Sequence, residues 1–304
     1  MKVGYVSAAY NCPDWSSCTF LGDGFKKLAE DEGFEIEVGR PGQVSDNCDI
    51  YIDVEGGHNA RLDRNRFRPV VSLVMDIFDP ELRDKKQKLE HARSADKVVV
   101  MSEVDKRFME DNGIKVDAIV NWALHEEVWH SNYDVQKSTH TAFIGNTTRG
   151  MSSHRTKVIG ALRSAGMGVC HRHMDCFLED NARQLLEGAF GLNIPNMGFN
   201  SVNQRDTEII GCELPLLTYN IDYFNYILPQ HLYTAYTNES DVVSKANEVL
   251  ENIEEKQDMA RRMRAFFLDN HTYKHLAKRI LSVIIDSERY DLDYYKELWN
   301  GKSY

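Results

Sequence analysis

Apolar residues in the first half of the chain follow two alternating patterns. Short continuous runs occur at Lys2–Ala8, FEIEV (34–38), CDIYIDV (48–54), VVSLVMD (70–76) and KVVVM (97–101). Between them lie stretches whose apolar positions share one helical face. In FLGDGFKKLAEDEG (20–33), Phe25, Leu28 and Ala29 fall on such a face. Gly33 closes that helix, because the residue past a last turn adopts a left-handed conformation that glycine accepts without strain. Further helices are predicted over Glu81–Ser94 and Glu103–Asn112. Uninterrupted valine and isoleucine runs suit strands buried on both faces, so the pattern predicts a parallel sheet covered by helices.

The rhythm breaks at 117–139, which reads as a crossover between domains, and then restarts. TAFIGN (141–146), GMGVC (166–170), GAFGLNI (188–194), LPLLTY (214–219) and LYTAYT (232–237) read as strands, with helices over Arg155–Ala165 and Asn181–Glu187. Two long helices, Glu239–Glu255 and Gln257–Ser287, precede a polar-aromatic tail at 289–299. The expected fold class is α/β, with two Rossmann-like domains in tandem. Such halves place a cleft at the carboxyl ends of their sheets, where ligands bind. The expected boundaries are 1–130, 131–285 and a C-terminal helix at 286–304.

Composition changes this picture little. A chain of 304 residues suits two cores of about 150 residues each. The net charge of -11, from 36 basic and 47 acidic residues, argues against a broad nonspecific grip on phosphate backbones but leaves room for a local basic patch. The six cysteines (Cys12, Cys18, Cys48, Cys170, Cys176, Cys212) are scattered without a CxxC pair and read as reduced thiols of a cytoplasmic protein. No apolar run approaches the roughly 18 residues of a membrane span, and the N-terminus lacks the apolar run of a signal peptide.

Candidate chemistry concentrates in QRDTEIIGCELPLLTYN (204–220). Glu208 opens a helix-like turn that continues into the small residues Gly211 and Cys212. A carboxylate fixed there can accept two hydrogen bonds from vicinal ribose hydroxyls, and small residues would let the helix lie close to a ligand. Pro215 stands at a strand start, where its missing N–H does no harm.

This segment resembles a known signature. EIIGCELPLL is similar to the E-A-x-A-x-G-x-P-hydrophobic motif of GT-B glycosyltransferases, most like the CgeB-type branch of the group 1 enzymes. That branch's pattern has an upstream Asn-Ile, matched by Asn193 and Ile194, and a central R-x-x-E, matched by Arg205 and Glu208. AFIGNTTRGMSSHR (142–155) resembles the glycine-ended first strand of the donor domain, and FFLDNHTYKHLAKRIL (266–281) the closing segment. The likeness covers about 140–285 and reaches the first domain only in outline. Two positions depart from it: Glu213 replaces a glycine, and Asn200 stands where retaining enzymes carry a second glutamate, which leaves retention or inversion open.

The resemblance implies a GT-B enzyme that moves a sugar from a nucleotide-diphosphate sugar to an acceptor hydroxyl, with no further cofactor and C-terminal helices crossing back to the first domain. A leaving diphosphate must be met by backbone N–H groups and cationic side chains. Gly145, Arg149, Arg155 and Lys157 are the candidates, with Arg205 as a further phosphate contact or a partner of Asp206 or Glu208. Gly22 and Gly24 read as a glycine-bearing loop at a helix start near the donor phosphate. Asp76 and His58, each after a predicted strand, are the leading candidate bases for the acceptor hydroxyl, with Asp14 a more distant third. No metal site is expected: HRHMDC (171–176) lacks paired ligand spacing.

Arg61, Arg64, Arg66 and Arg68 around Phe67, with Arg83, Lys85, Lys86 and Lys88 further on, form a basic patch with an aromatic for stacking. An alternative is an arginine loop paired with Asp63 and nearby acids. A compact enzyme with a basic acceptor side resembles phage enzymes that glycosylate hydroxymethylated DNA bases, so double-stranded DNA ranks first among acceptors, acting in the host cytoplasm if phage-encoded. Spore-coat, cell-surface and small-molecule acceptors are the alternatives. A non-catalytic nucleotide-sugar-binding protein and an epimerase are the rival classes.

Overall fold

The computed structural model describes residues 1–11, 16–54, 63, 67–75, 85–145, 147, 153–172, 178–195, 202–220 and 224–299. The chain forms two compact units. One comprises Met1–Trp122 and His271–Tyr295; the other comprises Ala123–Asn270 and the segment that begins at Lys296.

The first unit carries β1 (Lys2–Ser7), α1 (Ser16–Glu32), β2 (Glu35–Gly39), β3 (Ile50–Val54), β4 (Val70–Val74), α2 (Lys85–Arg93), β5 (Lys97–Val100), α3 (Glu103–Asp111) and β6 (Ala118–Ile119). All six strands pair in parallel in the order β2-β1-β3-β4-β5-β6. β3 and β4 are buried along their whole length, as their unbroken apolar character requires of strands covered on both faces. Gly33 ends α1 at φ +73°, the left-handed conformation expected of it. β6 falls inside the stretch expected to be a bare crossover.

The second unit carries β7 (Thr139–Ile144), α4 (Ser153–Ser164), β8 (Val169–Arg172), α5 (Glu179–Leu186), β9 (Gly188–Asn193), α6 (Gln204–Gly211), β10 (Leu216–Tyr219), α7 (Phe224–Ile227), β11 (Thr234–Tyr236), α8 (Asp241–Glu251) and α9 (Ile253–Asn270). Its five parallel strands run β11-β10-β9-β7-β8. Counted within the unit, this is the first unit's order again, without its sixth strand. Chain connections leave in opposite directions from β1 and β3, and likewise from β7 and β9. Those two points are the switch points at which doubly wound sheets bind ligands, beyond the carboxyl ends of the strands.

The helix expected over Gln257–Ser287 is divided. α10 (Tyr273–Ile285) restarts after Thr272, whose Oγ1 lies 2.8 Å from His275 Nδ1 in a capping box. The chain changes unit at this break, so residues 271–285 join the first unit and not the second, as the expected boundaries had it. α10 lies against α1 closely enough that a Cβ at Gly24 would stand 2.5 Å from the Tyr273 carbonyl oxygen. Lys274–Asp31 and Lys278–Glu32 ion pairs, each 2.7 Å, flank the same contact. α11 (Leu292–Trp299) then brings Tyr295 into the first unit, its ring stacked on His271 with centroids 5.7 Å apart and under the Arg279 guanidinium at 5.3 Å.

Gly22 and Gly24 are therefore not a phosphate loop. Both lie inside α1, where a Cβ at Gly22 would meet the Tyr10 ring and Val38 at 2.8 and 2.9 Å. They are small because two helices and a strand approach closely. Lys88 also leaves the basic patch: it is buried and donates to the Met75 carbonyl at 3.1 Å. Lys85 sits over the Phe108 ring at 5.0 Å.

Candidate functional site

Five of the residues expected to hold a donor, Gly145, Arg155, Asn193, Arg205 and Glu208, lie in the second unit, on or next to β7, α4, β9 and α6. α6 begins with Asn203 as its cap. The Asn203 side chain accepts from the Arg205 amide (2.8 Å), and Asp206 accepts from the Asn203 amide (3.0 Å). Asp206 is completely buried; its other oxygen accepts from Asn193 Nδ2 at 2.7 Å and Thr218 Oγ1 at 3.2 Å. One carboxyl thus ties the start of α6 to the ends of β9 and β10. Burial pushes it up to about 7, against the pull of those three donors and Arg205.

Glu208 follows on the same helix, buried, with the Arg205 guanidinium on its carboxylate three residues back. Of the two roles open to Arg205, the structure has it paired with Glu208. Burial drives the Glu208 carboxyl upward, with Arg205 opposing. Arg155, in the first turn of α4, donates from Nε to the Ile194 carbonyl at 2.9 Å and lies over the Phe143 ring at 5.6 Å. Burial first, and then repulsion from Arg205, lowers its pKa to about 10, so it stays charged at neutral pH. Two guanidiniums and a carboxylate thus share one field at the strand ends. Gly145 ends the same strand, its carbonyl 3.2 Å from His171 Nε2.

Three nearby groups escaped the sequence reading. His154 precedes Arg155 and pairs with Glu239 at 3.3 Å. The Tyr236 hydroxyl donates to the Asn193 carbonyl at 3.2 Å. Thr218 completes the Asp206 cluster. Only the adjacency of His154 to Arg155 was visible in the sequence; the others come from separate strands.

Gly211 is small for another reason than expected. A Cβ there would stand 2.5 Å from Leu124 Cδ1 and 2.6 Å from Trp129 Cβ, so α6 approaches its own unit's segment 124–129 at this point, not a ligand. Glu213, where the resembled signature has glycine, has φ +54°. That conformation strains any residue with a Cβ by about 1–2 kcal/mol. The side chain supplies compensation: Ser131 Oγ donates to Oε2 at 2.9 Å, and Arg264 pairs with Oε1 at 3.3 Å. Glu213→Gly should therefore unfold within about 1 kcal/mol of wild type, whereas Glu213→Ala, which keeps the strain and loses the contacts, should be less stable by about 1–2 kcal/mol. Denaturant titration ranks them; an alanine variant at least as stable as the glycine variant would contradict this account.

Arg149, Asp14, Asp76, His58, Arg61, Arg64 and Arg66 lie outside the described residues, as does Asn200. Arg68 is described: its side chain is 59% exposed and pairs with Asp96 at 3.8 Å. Among the described residues no group of three or more His, Cys, Asp or Glu is placed to hold a metal, and no helix is long and apolar enough to cross a membrane. Cys48 and Cys212 are free thiols.

Solved structures share this architecture across nearly the whole chain. Sucrose-phosphate synthase from Thermosynechococcus elongatus superimposes with a TM-score of 0.65 at 7% identity, covering 94% of this chain and 99% of that one. An alpha-glucosyltransferase in complex with UDP-glucose and DNA containing an abasic site gives 0.64 at 12% identity, covering 94% and 98%. T4 phage BGT in complex with UDP and Mn2+ gives 0.60 at 12% identity, covering 92% and 99%. The two parallel-sheet units are thus the GT-B fold. Residues 135–282 match the model of a family described as glycosyl transferase-like. The chain thus carries a glycosyl transferase-like domain on a GT-B fold, the matched stretch spanning most of the second unit and running on into α10 of the first. No curated protein matches the sequence.

Proposed function

We propose that the enzyme transfers a sugar from a nucleotide-diphosphate sugar to an acceptor hydroxyl without a metal ion, with a hydroxymethylated base in double-stranded DNA as the first-ranked acceptor. The observation that carries the donor assignment is the Glu208–Arg205–Arg155 cluster at the β7/β9 switch point. There Glu208 receives the ribose hydroxyls, and the guanidiniums meet the diphosphate. In the transfer, the bond from the anomeric carbon to the phosphate oxygen breaks and the electron pair leaves with the nucleoside diphosphate. The acceptor oxygen bonds to the same carbon, and its proton passes to Asp76 or His58. Charge on the leaving group is greater in the transition state than in the bound donor, so Arg155 and Arg149 contribute most to turnover.

The DNA acceptor draws support from the basic sequence 61–68 and from the DNA in the structure of the similar alpha-glucosyltransferase. The Arg68–Asp96 pair and the buried Lys88 favour a second reading, a glycan or small-molecule acceptor. Reduced thiols fit action in the cytoplasm.

The test is incubation with UDP- and GDP-sugars and duplex containing 5-hydroxymethylcytosine, read as a mass increase of one sugar residue on the DNA. Modification only of glycans or small molecules would move the second reading to first place. Donor binding without turnover on any acceptor would leave a binding protein. Activity is expected to persist in excess EDTA, because arginines and backbone amides meet the leaving charge. Loss restored by Mn2+, the ion present with T4 phage BGT, would refute the metal-free part alone.

A further inference from the structure

We propose that His154 is a ligand of the donor's diphosphate, its Nε2 meeting a phosphate oxygen at the first turn of α4; this rests on the reading of the second unit as the donor domain. His154 is only 7% exposed. Its Nδ1 lies 3.3 Å from Glu239 Oε1, just before α8, and its ring stands edge-on to Tyr219 at the end of β10, centroids 5.3 Å apart. Nε2, on the opposite edge of the ring, is buried and has no hydrogen-bond partner.

A buried imidazole nitrogen without a partner costs stability, and such groups in folded proteins call for a specific reason. The Glu239 contact does not supply it. That side chain is 38% exposed, and exposed ion pairs contribute little. The surroundings point to an anion. α4 is a twelve-residue helix, and the first turn of a helix carries the positive dipole end that favours an anion. Arg155 is the next residue, and Arg205 is close enough to repel it. Glu239 is held ionised by its own backbone amide and by His154. With Nδ1 turned to Glu239, Nε2 is the ring edge left to meet a phosphate oxygen. A single phosphate oxygen thus satisfies the orphaned nitrogen beside the two guanidiniums.

The experiment measures binding of uridine, UDP and UDP-glucose, and the guanosine and adenosine counterparts, to the full chain as wild type, His154→Phe and Glu208→Gln. Thermal unfolding without ligand accompanies it. His154→Phe keeps a ring against Tyr219 and removes the unpartnered nitrogen, so the ligand-free protein should melt no lower than wild type. Its affinity for the nucleoside diphosphate should fall tenfold or more, with nucleoside affinity unchanged. Unchanged diphosphate affinity overturns the proposal. So does a loss confined to the nucleotide sugar, which would mean a sugar-hydroxyl contact, or a lowered melting temperature with equal loss of nucleoside, which would mean a structural role. In each case weakened nucleoside binding by Glu208→Gln keeps the donor-domain reading standing. A wild type that binds no nucleoside diphosphate at all sinks both.

Discussion

Asp206→Ala is expected to lower the unfolding free energy by about 3 kcal/mol at pH 5, the largest stability loss among the site residues. Two costs add. The start of α6 loses one half of its capping box, worth about 1 kcal/mol. The Asn193 amide, buried at the end of β9, loses its acceptor at 2.7 Å, worth about 1–3 kcal/mol. The loss should depend on pH, with a definite sign. Burial raises the folded-state pKa of Asp206 to about 7, above the ordinary aspartate range. Between that range and pH 7, the folded chain holds a proton that the unfolded chain has released. This contribution to wild-type stability is therefore complete below about pH 4 and is lost as pH rises through 7, by at most about 1.4 kcal/mol per unit. The alanine variant lacks that slope. Urea unfolding of both proteins from pH 5 to pH 8 should show the gap narrowing, and a constant gap would mean that Asp206 is ionised throughout.

Glu208→Gln is expected to weaken nucleoside and nucleoside diphosphate binding alike, by about 10- to 150-fold, the range of a hydrogen bond to a charged group. The substitution keeps the side chain's volume, so the α6 packing around Gly211 should survive and unfolding should shift little. The parallel loss is the informative part. Ribose is common to both ligands, so a ribose contact affects both equally. If Glu208 serves only to orient the Arg205 guanidinium beside it, nucleoside affinity will hold and only the diphosphate will bind more weakly. Isothermal titration with uridine and UDP, or guanosine and GDP, separates the two.

Features that depend on neighbours in the chain were legible in the sequence. Alternating runs and periodic stretches specify parallel strands and covering helices, because burial on two faces demands unbroken apolar runs. The R-x-x-E spacing put Arg205 and Glu208 one helical turn apart, on the same side of α6. The end of α1 at Gly33 was also readable, because a left-handed cap is a property of one residue.

Tertiary structure alone decided whatever depends on contacts between distant segments. Gly22, Gly24 and Gly211 look in sequence like room for a ligand, yet each makes room for protein. A missing Cβ records a close approach without saying what approaches. Thr272 and His275 break a helix whose apolar period runs through them, and the chain changes unit there. Glu213 occupies a glycine position because Ser131 and Arg264, 82 and 51 residues away, hold its side chain. In the sequence Asp206 stood out only as one partner open to Arg205. Its burial under Asn193 and Thr218 exists only once β9 and β10 are paired, since the low-dielectric surroundings that raise its pKa are made by strands the local sequence does not contain.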